Sequence, residues 1–342
     1  MLGRSTLLRS LAIVAVAVVI LGLASEFLGA YNNTQLAEGA YYFAVLAGLT
    51  MLVGVSGQVS LGHGALVAVG AYTAVLLIGN EQWSLFPAMV AAVVVTAVVG
   101  FPVGAAASRL RGPYLAGATL AFAVGLPALA DKFPGTFGGE NGLLINPPSP
   151  PAWLGANFSL ERWEAWVACA GAVVVLFVLY NLTHSGVGRA LRAVRDDEIA
   201  ASLAGLRVGR SQTLAFILSA ACAGLGGGLL AVVYLQSAAP GAFPLQLSLS
   251  LLTGVVLGGL GSLAGAVWGA AVLVLLPSWT NNLAHSFSLS TNVSANLTLA
   301  IYGLVLIGAM LVWPSGIQGA LNALAARLRS LRPGTAAANQ TQ

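Results

Sequence analysis

The stretch GQVSLGHGALVAVGAYTA, residues 57–74, decides the fold because it is polar and glycine-rich where its surroundings are apolar. It lies inside a run of 42 uncharged residues from position 39 to position 80. Gln58, Ser60 and His63 interrupt that run, and four glycines stand where stronger helix formers are expected. If this run crosses a bilayer, three polar side chains and a weakened helix must find partners at membrane depth.

Composition indicates the class of protein. Of the 342 residues, 58% are hydrophobic and 7% are charged, whereas a soluble domain carries about 25% charged residues. The apolar runs are long and continuous, as in FPAMVAAVVVTAVVGFPVGAAA at 86–107. A β-barrel instead needs alternating segments of ~10 residues. The sequence therefore predicts an all-α polytopic membrane protein with about ten transmembrane helices (8–10), including Gly-rich broken or short ones.

The position of the charges predicts the topology, because cytoplasmic loops favour Lys and Arg. With the N-terminus inside, ten crossings leave twelve of the fourteen basic residues on the cytoplasmic side and seven of the ten acidic residues outside. Both termini are then cytoplasmic. The predicted crossings lie near 10–29, 39–55, 65–79, 86–107, 113–130, 165–183, 212–235, 246–260, 263–277 and 297–313.

This topology divides the chain into three parts. An N-terminal helix and outer turn occupy 1–38, a transmembrane domain occupies 39–313, and a cytoplasmic tail with a disordered end occupies 314–342. The segment 246–277 is open to two interpretations, one long helix or two short ones. Two crossings keep the C-terminal arginines inside, and one would export them.

Two connections are long and differ in kind. The outer segment 131–164 is rich in Pro, Gly and Asn, whereas the inner segment 184–211 is polar, holds five arginines and has no proline. In the inner segment, an apolar residue recurs at offsets 0, 3, 8, 12 and 15, which predicts one amphipathic helix with Gly205 at its end. The apolar positions are Leu191, Val194, Ile199, Leu203 and Leu206.

The amphipathic helix has two interpretations. It can lie on lipid head groups, where arginines are expected. Three consecutive acids, Asp196, Asp197 and Glu198, fit poorly against an anionic leaflet. The other interpretation is a docking helix for a cytoplasmic protein.

The polar stretch around His63 also has two interpretations. Backbone leaves the helix at membrane depth only where protein or a water-filled cavity satisfies it, and Gly-rich breaks are typical of transport pathways. Gln58, Ser60 and His63 would then face water or substrate. Alternatively the stretch is a tight cytoplasmic turn, which explains the glycines but explains less well why no charge or proline is present and why Gln58 and His63 are five residues apart.

Several classes of function lack their sequence signals. No cluster of His, Glu and Asp suggests a metal site, no phosphate-binding loop is present, and no nucleophile and base stand together. No acidic pair lies inside a predicted crossing, as a proton- or sodium-coupled carrier would need. We therefore expect a transport protein whose energy comes from elsewhere, with no catalytic or metal site and no cofactor of its own.

Five motifs extend this expectation. The stretches GQVSLGHGALVAVGAYTAVLL, RLRGPYLAGATLAF, GGENGL, GRALRAVRDDEIAASLAGLRVGR and VLGGLGSLAGAVWGA occur in this order. In this respect the chain resembles permease subunits of ABC importers of the branched-chain amino acid type, in their LivM-like branch. The resemblance runs from about residue 39 to residue 313.

The resemblance implies a transport subunit of the bacterial inner membrane rather than an enzyme. A second permease subunit, two cytoplasmic ATPase subunits that use ATP, and a periplasmic or lipid-anchored binding protein would be its partners. It implies a pathway or gate at Gln58, Ser60, Gly62, His63, Gly64 and Thr119. It implies coupling to the ATPase through Arg189, Leu191, Val194, Arg195, Asp196, Glu198, Ile199 and Gly205. A second small-residue cluster, interpreted as a packing seam, contains Gly258, Gly259, Gly261 and Gly265.

The chain departs from the family pattern at two places, and the first of them bears on the substrate. Members commonly carry a carboxylate shortly after TLAF, where this chain has Val124 and Gly125. The family's RDNE reads RDDE here. A urea or short-amide permease is therefore the alternative within transport, and a non-transporting membrane scaffold is the alternative outside it.

Overall fold

A computed structural model describes residues 4–110, 113–146, 149–155, 158–286 and 315–330, together with seven positions between 300 and 311. The described chain is almost entirely helical. Its helices are α1 Arg4–Phe27, α2 Ala30–Thr50, α3 His63–Gly79, α4 Leu85–Ala107, α5 Pro113–Lys132, α6 Pro134–Phe137, α7 Leu160–Thr183, α8 Gly186–Asp196, α9 Glu198–Leu203, α10 Val208–Leu229, α11 Leu245–Gly258, α12 Leu263–Ser286 and α13 Gly316–Ser330. Two π-helical turns, Met51–Val55 and Leu230–Leu235, continue α2 and α10.

Among the described residues, eight helical segments are long and apolar enough to cross a membrane. They are Thr6–Phe27, Ala30–Val55, Leu85–Ala107, Tyr114–Lys132, Leu160–Thr183, Val208–Leu235, Pro240–Gly258 and Leu263–Thr280. Helix α3 is apolar but shorter, with 17 residues. The protein is therefore an all-α polytopic membrane protein, as predicted. The tenth predicted crossing, near 297–313, lies largely outside the described residues.

The segment 246–277 forms two helices rather than one. Helix α11 ends at Gly258, and α12 begins at Leu263. Between them Gly259 has φ +119° and Gly261 has φ +80°, a backbone region that side chains with a Cβ rarely adopt. The two helices then pack closely, because a Cβ on Gly258 would collide with the carbonyl oxygen of Gly265.

Helix α2 begins earlier than its predicted crossing at 39–55. It starts at Ala30, which adds nine residues at its N-terminal end and places Glu38 inside a candidate span. Charge alone set the predicted boundary, and one carboxylate does not end a helix that packs against its neighbours. Glu164 lies near the start of α7, and the predicted absence of an acidic pair at membrane depth stays a prediction.

Helices α2, α3 and α10 form the centre of the protein. Here α3 and α10 approach backbone to backbone: a Cβ on Gly70 would collide with the carbonyl oxygen of Gly224, and one on Gly227 with that of Val67. Small residues allow such close approach, and the dispersion contacts it creates stabilise helix pairs in lipid. Helix α1 packs against α7 and is otherwise largely exposed.

The long segment between α5 and α7 contains short 3₁₀ turns and one strand. Strand β1, Leu143–Leu144, pairs antiparallel with β2, Ser237–Ala238, which follows α10. This pairing fastens the segment to the end of the bundle where α10 finishes. Helices α8 and α9 precede α10 and therefore lie at its opposite end.

We expect Gly70→Val to prevent stable folding, because the added side chain meets backbone that cannot rotate away. The cost should exceed the ~1–3 kcal/mol typical of overpacking. Gly117→Val is the matched control, since Gly117 lies in α5 with open space around it. The yield of detergent-solubilised protein and its melting temperature are measured for both variants. Equal yields and equal melting temperatures would contradict the tight α3–α10 contact.

Candidate functional site: the polar segment and helices α8 and α9

Residues 56–64, here called the polar segment, join α2 to α3 through six positions without helical structure, 57–62. A π-helical turn ends α2, and Gly57 follows with φ +76°. Helix α3 begins at His63. The glycine permits the left-handed backbone that turns the chain out of the helix.

The imidazole of His63 is fully buried between two hydroxyls. Its Nδ1 lies 3.0 Å from Ser60 Oγ, and its Nε2 lies 2.7 Å from Ser219 Oγ in α10. Both ring nitrogens therefore have partners inside the chain. The ring fastens the start of α3 to α10.

Gln58 also turns toward α10. Its amide nitrogen donates to Ser56 Oγ at 2.6 Å and to the backbone carbonyl of Gln212 at 3.1 Å. Its buried Oε1 has no hydrogen-bond partner among the described residues. Gln58 thus connects the polar segment to the first turns of α10.

The second half of the segment contacts α5 and α11. Thr119 Oγ1 in α5 accepts a hydrogen bond from the Leu61 backbone N–H at 3.0 Å. A Cβ on Gly62 would lie 2.6 Å from the Thr119 carbonyl oxygen. Ser248 Oγ in α11 accepts a hydrogen bond from the Gly64 N–H at 2.9 Å. The segment is therefore a junction of four helices: α3, α5, α10 and α11.

This geometry corrects the predicted orientation of the polar side chains. Gln58, Ser60 and His63 were expected to face water or substrate, but they are 5%, 1% and 0% exposed. They point inward because neighbouring helices supply the partners that hydrocarbon lacks. The exposed positions of the segment are instead Gly57 and the apolar Val59.

The predicted single helix over 189–205 is also wrong. Asp197 is extended, with φ −157° and ψ 107°, and separates α8 from α9. Its carboxylate caps α9 by accepting hydrogen bonds from the Ile199 and Ala200 N–H groups at 2.8 and 3.0 Å. Gly205, with φ +85°, follows the end of α9, as its position suggested.

The break separates the apolar positions onto different surfaces. Leu191 and Val194 in α8 are each 1% exposed and pack into the protein. Ile199 and Leu203 in α9 are 73% and 84% exposed. The apolar surface available to a partner is therefore on α9, not along one continuous face. Arg189 is exposed on α8.

Two polar contacts connect these helices to the residues that flank or hold the polar segment. Arg195 donates from Nη1 to the Gly54 carbonyl at 2.6 Å, and its stem packs beneath Gly57. Its other donors contact Asp196 Oδ1 at 2.7 and 2.9 Å. Glu198 accepts a 2.8 Å hydrogen bond from the side chain of Gln212. The carbonyl of that same Gln212 binds Gln58, so a movement of α8 or α9 would reach the junction directly.

At the other end of the bundle, the structure reveals a polar cluster that the sequence analysis missed. Glu38 lies beside the hydroxyls of Tyr41 and Tyr234, whose rings are 5.8 Å apart between centroids. Glu164 Oε1 accepts a hydrogen bond from Gln236 at 3.3 Å. The sequence did contain a signal for this cluster, because Glu38 and Tyr41 are three residues apart and therefore lie on one face of α2.

The fold and the junction define a class: a multi-pass helical membrane protein in which a polar, non-helical segment separates two apolar helices and two short polar helices are tied to the residues around it. The model of a known family, described as branched-chain amino acid transport system / permease component, matches residues 34–312. The chain belongs to this family.

Individual relatives agree with this assignment. The chain is 33% identical over 286 residues to the high-affinity branched-chain amino acid transport system permease protein LivM of Salmonella typhimurium, and 33% identical over 287 residues to LivM of Escherichia coli. Each alignment covers 76% of this chain and 66% of the relative. The permease protein LivH of Escherichia coli is 27% identical over 302 residues, which cover 84% of this chain and 94% of that protein. No solved structure matches the chain significantly.

We expect His63→Ala to destabilise the protein by ~2–4 kcal/mol, because it leaves a cavity and two hydroxyls that lose a buried partner. His184→Ala is the matched control and should change stability by less than ~0.5 kcal/mol, since His184 is exposed at the end of α7. Thermal unfolding in detergent, followed by size-exclusion chromatography, measures both. A His63→Ala variant as stable as the wild type would contradict the junction.

Proposed function

We propose that this chain is a membrane-spanning permease subunit of an ABC importer and forms part of the translocation pathway for branched-chain amino acids. A second permease subunit would complete the pathway, two cytoplasmic ATPase subunits would use ATP, and a periplasmic or lipid-anchored binding protein would deliver the substrate. The chain itself would bind no cofactor. The observation that carries the proposal is the pair of hydrogen bonds that joins α8 and α9 to the partners of the polar segment: Arg195 to the Gly54 carbonyl, in the π turn before it, and Glu198 to Gln212 of α10, which binds Gln58.

Coupling follows from this connection. In the proposal, α9 contacts an ATPase subunit through Ile199 and Leu203, whose exposed apolar side chains suit a hydrophobic pocket. Arg195 and Glu198 would transmit movement of the ATPase to Gly54 and Gln212. The junction would then act as a stiff connection that transmits this movement to α3, α5, α10 and α11, rather than as a polar lining of the passage.

The substrate class rests on the relatives, which are permease proteins of branched-chain amino acid transport systems, and on one feature of this chain. The family's carboxylate after TLAF is missing, and Val124 is 54% exposed in its place. Glu38, which lies partly exposed within a candidate span, offers a different carboxylate for the ammonium group of an amino acid. Ionisable groups at membrane depth face water-filled cavities or protein, not lipid.

We propose an orientation in the bacterial inner membrane with both termini and α8–α9 in the cytoplasm. The charge distribution supports it, because the basic residues of 184–211 then lie inside. The segment 131–164, held by the β1–β2 pairing, would face the periplasm and meet the binding protein.

The coupling proposal predicts that Ile199→Asn combined with Leu203→Asn reduces both substrate uptake and substrate-stimulated ATP hydrolysis by about tenfold or more. The reason is loss of apolar contact with the ATPase, so the variant should insert normally. Uptake of leucine and ATPase activity in proteoliposomes containing all partner subunits measure the effect.

Leu191→Ala provides the contrast, because Leu191 is buried. It should lower the folded yield through a cavity costing ~2–5 kcal/mol, without a specific defect in ATPase binding. Full-rate uptake by the Ile199/Leu203 variant would contradict docking through α9. Uptake of urea or an amide in place of leucine would overturn the substrate class, and complete failure to transport by the intact assembly would favour a scaffold.

The orientation predicts the accessibility of two engineered thiols. Ser149 in the outer segment is exposed. In spheroplasts, Ser149→Cys should therefore react with a membrane-impermeant maleimide. Ser202→Cys in α9, which is also exposed, is the matched control and should react only after permeabilisation. The native thiols, Cys169 and Cys222, are buried. The reverse labelling pattern would overturn the topology.

A further inference from the structure

Two cavities on one side of the protein share walls and form a continuous groove, here called the α1 groove. One cavity of about 760 Å³ and another of about 600 Å³ are each lined by α1, α2, α7 and α12. Leu176 in α7 and Val267 in α12 line both. Helix α1 forms one wall of the groove through Ile13, Ala17 and Ile20 and packs against α7.

The groove is apolar and long. Along α2, its lining extends from Asn32 to Thr50, which is ~27 Å at 1.5 Å per residue. This exceeds half of the ~30 Å hydrocarbon core, so the groove can hold the full length of an acyl chain from one leaflet. The walls along this length consist mainly of Ala, Val, Ile and Leu side chains.

The end of the groove near α8 is different, because it is polar and basic. Arg192 and His184 line it. Among the described residues, Arg192 has no acidic partner, and its guanidinium donates a single hydrogen bond, to the Thr183 carbonyl at 3.0 Å. The first turn of α12 also lines this end, and a helix N-terminus favours negative charge.

A second, independent observation points to a ligand at the same place. Thr50 lines this end of the groove, is 1% exposed, and has a buried hydroxyl without a hydrogen-bond partner among the described residues. An unpartnered hydroxyl in an apolar surrounding costs free energy unless a bound group satisfies it. A ligand with oxygen acceptors would supply that partner.

We propose that the α1 groove binds one anionic phospholipid, with its phosphate at Arg192, His184 and the start of α12 and an acyl chain beneath α1. The chemistry at each end matches one molecule: an anion with oxygen acceptors at the polar end and a hydrocarbon chain along the apolar walls. In the orientation proposed above, this lipid belongs to the cytoplasmic leaflet. The binding does not depend on transport, so it can be tested separately from it.

The test measures lipid retained by the purified full-length chain. The protein is reconstituted into vesicles of phosphatidylcholine that contain a minority of phosphatidylglycerol. It is then re-extracted and washed in detergent, and the bound lipid is quantified by mass spectrometry. Wild-type protein should retain phosphatidylglycerol well above its share in the vesicle. Arg192→Gln should lower this enrichment roughly fivefold, as expected for loss of about one basic residue's attraction.

Matched controls separate a site from general attraction. Arg210→Gln removes an exposed charge outside the groove and should keep the enrichment. Ala271→Trp fills the groove wall and should lower the amounts of bound phosphatidylglycerol and bound phosphatidylcholine. Val94→Trp lies on the exposed face of α4 and should change neither amount.

Three results would overturn the proposal. In the first, the lipid bound to wild-type protein contains no larger fraction of phosphatidylglycerol than the vesicles do. In the second, Arg192→Gln and Arg210→Gln lower the phosphatidylglycerol enrichment equally. The third is a cross-link from Ala271→Cys to another subunit of the assembly, which would show that protein fills the groove. Should Arg192→Gln fold poorly, the wild-type enrichment and the Ala271→Trp and Val94→Trp pair still decide the question.

Discussion

Hydrocarbon offers no hydrogen-bond partners, and the structure of this protein depends on that constraint. Where α2 breaks, six residues of backbone and three polar side chains must be satisfied by other parts of the chain. Ser219, Gln212, Thr119 and Ser248 provide the partners from three other helices. The break is therefore possible only because α5, α10 and α11 meet at this point.

The same constraint explains why the centre is built from small residues. A polar side chain can bridge two helices only when their axes are close, and Gly70, Gly224 and Gly227 bring α3 and α10 into backbone contact. Close packing also makes the junction stiff, since displaced backbone has no free volume to enter. In the proposed function, this stiffness lets a small movement at α8 and α9 become a change in the arrangement of the helices.

The periphery of the helix bundle is packed more loosely than its centre. Helix α1 has few protein neighbours and lies beside a groove that the chain itself does not fill. An apolar helix gains little in lipid from burying its surface, because the lipid is as apolar as its neighbours. Loose packing there is consequently tolerated, and the proposed lipid would serve as part of the packing. At the junction, by contrast, every polar atom left without a partner carries a free-energy cost.

The sequence by itself determined the class, the approximate helices and the family, because hydrophobic length, charge position and ordered motifs are local properties. It also indicated that 57–64 was a special segment. The direction of Gln58, Ser60 and His63 was decided only by the tertiary structure, since burial depends on helices distant in the sequence. The division of α8 from α9 likewise depended on competition between two local structures, because Asp197 caps α9 instead of continuing α8. Periodicity predicts which residues share a helical face, but the partners that satisfy each polar group belong to the fold as a whole.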